Sequence, residues 1–115
     1  MTETCLFCQI ARGEIPATIV HEDDHVLAFR DVNPQAPTHV LVIPREHLSS
    51  AADLASEHAE LLAAMFDVAN GVAVADGVAE TGYRLVVNVG RDAGQSVDHL
   101  HLHVLGGRRL AWPPG

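Results

Sequence analysis

The chain predicts an α+β domain: a mainly antiparallel sheet with one long helix and a short N-terminal helix. Three features carry that expectation. Strand-like apolar segments outnumber helical ones, neighbouring segments are separated by brief turns of the hairpin kind, and a single stretch sustains helical periodicity over several turns. At 115 residues, of which 48% are hydrophobic, the chain is sized for one domain over residues 1–115 with a core of its own.

The elements follow in order. "CLFCQIARG", residues 5–13, reads as a short helix stopped by Gly13. "IPATIVHEDDHVLAFRD", residues 15–31, reads as two strands joined by the acidic turn Glu22-Asp23-Asp24. "NPQAPTHVLVIP" opens as a proline-broken loop and becomes a strand from about Thr38 to Pro44. The long helix is expected near residues 56–76, where Leu61, Leu62, Met65, Phe66, Ala69, Val72 and Ala73 recur at helical spacing. Ser56 is its expected N-cap and Gly77 its stop. Gly71 inside it costs roughly 1 kcal/mol relative to alanine. "YRLVVNV" is then a strand, "GRDAGQS" a glycine-bearing loop, and "VDHLHLHVLG" a strand over residues 97–106.

A formal net charge of −8 argues against a nucleic-acid partner. No apolar run looks long enough to cross a membrane, so no membrane partner is expected. The opening "MTETCLFCQI" lacks the basic region and long apolar core of a secretory signal, which predicts a cytoplasmic setting. In such a reducing compartment the pair Cys5-x-x-Cys8 points to metal or redox use before a disulfide.

The chemistry concentrates in "DHLHLHVLGG", residues 98–107. His99, His101 and His103 occupy alternate positions, with Leu100, Leu102 and Val104 between them. On a strand, alternate residues share a face, so the imidazoles point one way and the apolar residues into the core. A solvent-facing strand more often carries Thr, Lys or Glu, so a row of histidines reads as selected for chemistry. The first and third Cα atoms would be roughly 13 Å apart, too spread for easy convergence on one metal ion. A division of labour follows, with the middle imidazole the candidate nucleophile toward phosphorus. The preceding "GRDAGQS" supplies a candidate phosphate cradle: Gly90 and Gly94 allow tight turns, and Gln95 and Ser96 add side-chain donors. His21 and His25 are expected as solvent-facing strand ends, and His58 as a surface residue of the long helix.

"GQSVDHLHLHVLGG" resembles the signature of the histidine triad (HIT) superfamily, and most closely its Hint branch of nucleoside phosphoramidate hydrolases. "EIPATIVHEDDHVLAFRDVNPQAPTHVLVIPREH" resembles that branch's first half and "WPPG" its C-terminus. The resemblance implies a HIT-like fold, a homodimer with one sheet continuous across the partners, and a purine nucleotide substrate. It implies His101 as the nucleophile, with His103 and His39 flanking the phosphate and assisting proton transfer. Asn88, Gly94, Gln95 and Ser96 would hold the phosphate and leaving amine, Ser96 also helping to pass the proton. Asp31 would bond the ribose hydroxyls, and Leu6, Phe7, Ile10, Ile15, Phe29 and Val32 would form the base slot.

Among bacterial members the likeness extends to a structural zinc site, here Cys5, Cys8, His47 and His99, with no cofactor needed for catalysis. Two thiolates and two imidazoles meet the rule for closed tetrahedral zinc. The implied reaction is hydrolysis of a P–N bond to a nucleoside monophosphate and an amine. Two readings compete: a dinucleoside polyphosphate hydrolase of the same superfamily, and a nucleotide-binding regulatory protein. A metal oxygenase barrel is disfavoured, since no acidic residue or histidine follows His103.

Overall fold

The computed structural model describes residues 4–115; the opening Met-Thr-Glu, part of the N-terminal stretch read above, lies outside the described residues. Helix α1 (Leu6–Ala11) is capped by Cys5, whose Sγ accepts the Cys8 N–H at 3.4 Å. Gly13, at φ 76°, ends it: its N–H bonds the Ile10 carbonyl at 3.0 Å, and the Glu14 N–H bonds that of Gln9 at 2.9 Å. That pair of bonds satisfies carbonyls the helix would otherwise leave open.

Five strands follow: β1 (Ile19–Glu22), β2 (Val26–Arg30), β3 (Thr38–Pro44), β4 (Tyr83–Val86) and β5 (Leu102–Gly106), with α2 (Ala59–Ala75) between β3 and β4. They form one sheet in the order β1-β2-β3-β5-β4, antiparallel at every junction. The β1–β2 turn is tightened by Asp23, whose Oδ1 accepts the N–H groups of His25 and Val26, both at 2.8 Å. This is the local side-chain bonding that suits Asp to turns.

Alternation sorts the strands onto two faces. Val26, Ala28, Val40, Val42, Leu102 and Val104 are buried against Met65, Ala69 and Val72 of α2. Leu27, Phe29, Leu41 and Ile43 point to the opposite face, where Phe7, Cys8 and Ile10 of α1 cover them. Strand β3 is buried along all seven residues because both faces are covered. Met65 and Leu102 are about 1% exposed, and truncating either to Ala would cost about 2–5 kcal/mol.

The structure departs from the sequence expectation in four places. Ser56 does not cap the long helix; it opens a 3-10 turn at Ser56–His58, and α2 begins at Ala59. His58 closes that turn, its Nδ1 accepting the Ala55 N–H at 3.0 Å. At the far end Gly77, at φ 76°, makes the expected stop: Gly77 N–H bonds Val74 and Val78 N–H bonds Ala73. Ser56–Ala75 does reach the length and mean hydropathy, 1.2, of a membrane-crossing helix. Its buried stripe on the sheet and its Glu60 and Asp67 fit a core helix. Strand β4 stops at Val86, short of the expected Val89.

The fourth departure concerns the histidine row. Only Leu102–Gly106 pairs as a strand, so His99, Leu100 and His101 precede the ladder. Pro44, which ends β3, has no N–H to donate, and the pairing with β3 stops at Val42–Leu102. The Leu100 N–H turns instead to the Leu48 carbonyl at 2.6 Å. Leu100 nevertheless stays in the core with Leu102 and Val104, so the alternation survives without the strand.

Candidate active site and metal centre

Hydrogen bonds fix the tautomer of each catalytic-face histidine. The Nδ1 of His101 lies 2.8 Å from the His99 carbonyl, which can only accept. His101 therefore carries its proton on Nδ1 and its lone pair on Nε2. His39 is wired the opposite way. Its Nδ1 accepts the Gln35 N–H at 3.0 Å, so the proton sits on Nε2, which lies 2.9 Å from Nδ1 of His103. His103 must then accept at Nδ1 and hold its proton on Nε2. That Nε2 is buried and has no protein partner among the described residues. A buried donor left open in this way is a ligand contact in waiting.

Burial keeps His39 and His103 neutral. His39 is shifted down by desolvation, with Asp31 opposing. His103 is pushed down to about 4 by burial, then by His101 and His39. Asp31, His39 and His103 bring a carboxylate and two imidazoles within 4.8 Å. The Gln35 amide places the proton on His39 Nε2, and Asp31 Oδ2 lies 3.4 Å from that nitrogen.

His101 and His103 form the polar end of a cleft of about 370 Å³. Leu6, Phe7, Ile10 and Ile15 from the N-terminal segment line one side, and Phe29, Asp31 and Val32 another. Ser96 lines the same cleft. Phe7 meets Phe29 and His101 edge-on, with ring centroids 5.4 and 5.2 Å apart. Val32, 99% exposed, is at the mouth. The sequence reading missed Pro16, Ala17, Arg30, Leu41 and Val97 in this lining. Leu41 was legible only through its register opposite His103.

His39, Asn88, Gly94 and Gln95 lie outside that lining. His39 acts one ring behind it. The loop before the row is tighter than an open cradle. Gly90 and Gly94 take positive φ, 81° and 79°, as expected. Their N–H groups are used inside the loop, by Gln95 Oε1 and the Arg91 carbonyl. Gln95 also donates through Nε2 to the carbonyls of Ser49 and Val97, at 2.8 and 3.0 Å. Its amide thus staples the loop to the segment after β3, and Ser96 is the residue of this loop that lines the cleft.

The second centre lies under α1. Cys5 Sγ is 3.4 Å and Cys8 Sγ 3.5 Å from His99 Nδ1, and Cys8 Sγ is 3.3 Å from His47 Nδ1. All four ligand atoms fall within 4.8 Å of one another. A tetrahedral zinc with ordinary Zn–S and Zn–N bonds sets its sulfur and nitrogen ligands about 3.6 Å apart. His99 Nε2 donates to the Pro44 carbonyl at 2.9 Å, which turns the Nδ1 lone pair toward the thiols. Burial, then Cys5, pushes the Cys8 thiol up to about 11, so a bound cation must displace its proton. The donor set fits zinc.

A family model described as the HIT domain matches residues 12–110. The chain belongs to the HIT domain family. A HIT family hydrolase of Legionella pneumophila has the same fold, at TM-score 0.95 and 56% identity, covering 96% of this chain and 99% of that one. The purine nucleoside phosphoramidase of Escherichia coli is 49% identical over 110 residues, 96% of this HIT chain and 92% of its own. The 14 kDa zinc-binding protein of Zea mays is 50% identical over 112 residues, covering 96% and 87%.

Proposed function

We propose that this HIT protein hydrolyses purine nucleoside 5′-phosphoramidates through a nucleotidyl-His101 intermediate. The observation that carries the reading is the 2.8 Å bond between His101 Nδ1 and the His99 carbonyl. It leaves Nε2 as the lone-pair nitrogen of a ring lining an apolar cleft sized for a base. In the first half-reaction Nε2 bonds to phosphorus and the P–N bond breaks. The amine leaves with a proton passed through Ser96 from a histidine of the site, and positioned transfer of this kind contributes about 10²–10⁴-fold. Water then cleaves the phosphorus–imidazole bond, which releases the nucleoside monophosphate and restores the ring.

The other residues divide the binding. His103 Nε2–H faces a phosphoryl oxygen, Asp31 the ribose hydroxyls, and the apolar walls the purine. Asn88 and Gly94 support the phosphate and amine, while Gln95 holds the loop. Zinc at Cys5, Cys8, His47 and His99 would be structural, and no step passes through it. A cytoplasmic setting would keep both thiols reduced. The reading includes a homodimer: β4 is an unpaired sheet edge in the single chain, and Val87 and Val89 just beyond it are exposed.

Mass spectrometry of enzyme quenched during turnover of adenosine 5′-phosphoramidate tests the proposal. An AMP adduct on His101 is expected, and His101→Gly should bind AMP without turnover. Turnover at the wild-type rate by that variant would overturn the nucleophile. Faster cleavage of diadenosine polyphosphate than of phosphoramidate in parallel assays would transfer the protein to the competing hydrolase reading.

A further inference from the structure

His39 owes its wiring to the connection between β2 and β3. Residues 31–37 form it and carry Pro34 and Pro37 on either side of Gln35. Gln35 is held at both ends: its N–H donates to His39 Nδ1 at 3.0 Å, and its carbonyl accepts Nε of Arg108, also at 3.0 Å. Arg108 is braced in turn by an Nη1 bond to the Arg109 carbonyl. One residue earlier, Gly107 sits against Pro37. A Cβ there would lie 2.9 Å from Pro37 Cβ, and its φ of +89° is one that side-chain-bearing residues rarely adopt. The turn after the histidine strand therefore docks the loop from both sides.

We propose that Gly107 and Arg108 are positioning residues that set which nitrogen of His39 carries the proton. The consequence runs through two rings. With the Gln35 amide in place, His39 protonates Nε2, His103 accepts at Nδ1, and His103 presents an N–H toward the cleft. If the loop lifts, His39 is free to hold its proton on Nδ1 and to accept at Nε2. His103 then donates through Nδ1 and turns a bare lone pair toward the cleft, where an anionic phosphoryl group would be repelled. A backbone amide, placed by an arginine at the end of β5, thus decides whether His103 attracts or repels phosphate. The kinetic consequence rests on the hydrolase reading; the tautomer does not.

Nitrogen-15 NMR of the histidine rings tests the proposal in Arg108→Ala, Arg108→Lys and Gly107→Ala, at about pH 8, well above the ordinary histidine range. In the wild type His39 should show a bare Nδ1 and a protonated Nε2. Arg108→Ala should move both shifts toward the average of the two tautomers, and Arg108→Lys, which still offers a donor to Gln35, should recover most of the wild-type pattern. With adenosine 5′-phosphoramidate, Arg108→Ala should lower kcat/KM by about tenfold, because the substrate's own phosphoryl group is anionic and meets the altered His103 before and during reaction. His39 protonated on Nδ1 in the wild type would overturn the proposal, as would an unchanged tautomer in Arg108→Ala. Should Gly107→Ala not fold, the arginine pair decides alone. Should the wild type show no phosphoramidate turnover, the hydrolase reading fails while the spectra still decide this one.

Discussion

Acid should unfold this protein through His103. Burial, with His101 and His39 adding, holds its folded value at about 4 against the ordinary 6.5, and Asp31 only partly opposes them. A histidine shifted down folds by shedding its proton, so the unfolded chain binds more protons between those two values. Its contribution is full above the ordinary value and is lost as pH falls toward the folded one. Worked from the two titration curves, His103 alone removes about 2 kcal/mol of stability between about pH 7 and pH 5. His39 is displaced in the same direction, also by burial. Urea unfolding of the wild type and of His103→Gln at the two pH values measures the effect. Both proteins carry the same Cys/His centre, so acid-driven metal loss cancels in the comparison. The wild type should lose about 2 kcal/mol more than the variant. Equal losses would refute a neutral, buried His103.

Three further outcomes are expected. Cys8→Ser should abolish stoichiometric zinc in metal analysis, and should lower kcat, because His99 both faces that centre and holds His101 by its carbonyl. Ile15→Ala, which shortens a wall of the cleft, should raise KM about fivefold with kcat unchanged in steady-state kinetics, as loss of uniform binding does. Gly106→Ala should cost about 1–3 kcal/mol in urea unfolding, since its Cβ would meet Val78 Cγ2 at 2.9 Å. Val78→Ala in the same chain should recover part of that loss.

The parts legible in the sequence are those written as side-chain periodicity. Strand β3 reads as apolar from Val40 to Pro44 because it is covered on both faces, and α2 as a stripe because only one of its faces meets the sheet. Gly13 and Gly77 were legible as stops because a left-handed residue there needs no partner elsewhere in the chain. The end of the histidine ladder was not, since it is set by Pro44, which lies across the sheet and 58 positions from Leu102. The contacts that wire the imidazoles are harder still. Gln35 acts through its peptide N–H, His99 through its carbonyl and Pro44 through its carbonyl, and every residue type offers a carbonyl. Gln95 shows the converse: a side chain well suited to a phosphate spends its amide on three backbone groups. For Cys5 and His99, 94 positions apart, only the family likeness joined them before the fold did.

Why the three histidines alternate in one short stretch has an answer in these contacts. His99 uses three groups at once: Nδ1 faces the thiols, Nε2–H holds the Pro44 carbonyl, and its own carbonyl holds His101. Leu100, between them, is anchored in the core and bonded to Leu48, beside His47. A rotation of His101 would break its bond to a carbonyl whose residue is pinned from three sides. In the proposed reaction His101 would thus meet phosphorus with its tautomer and direction already set, leaving little reorganisation for the step itself. His103, two residues on, is within the ladder opposite Leu41 and accepts a hydrogen bond at Nδ1 from His39 on the neighbouring strand. The row thus joins a rigid centre on one side of His101 to the hydrogen-bonded His39–His103 pair on the other. Spacing by two is what lets one extended backbone serve both.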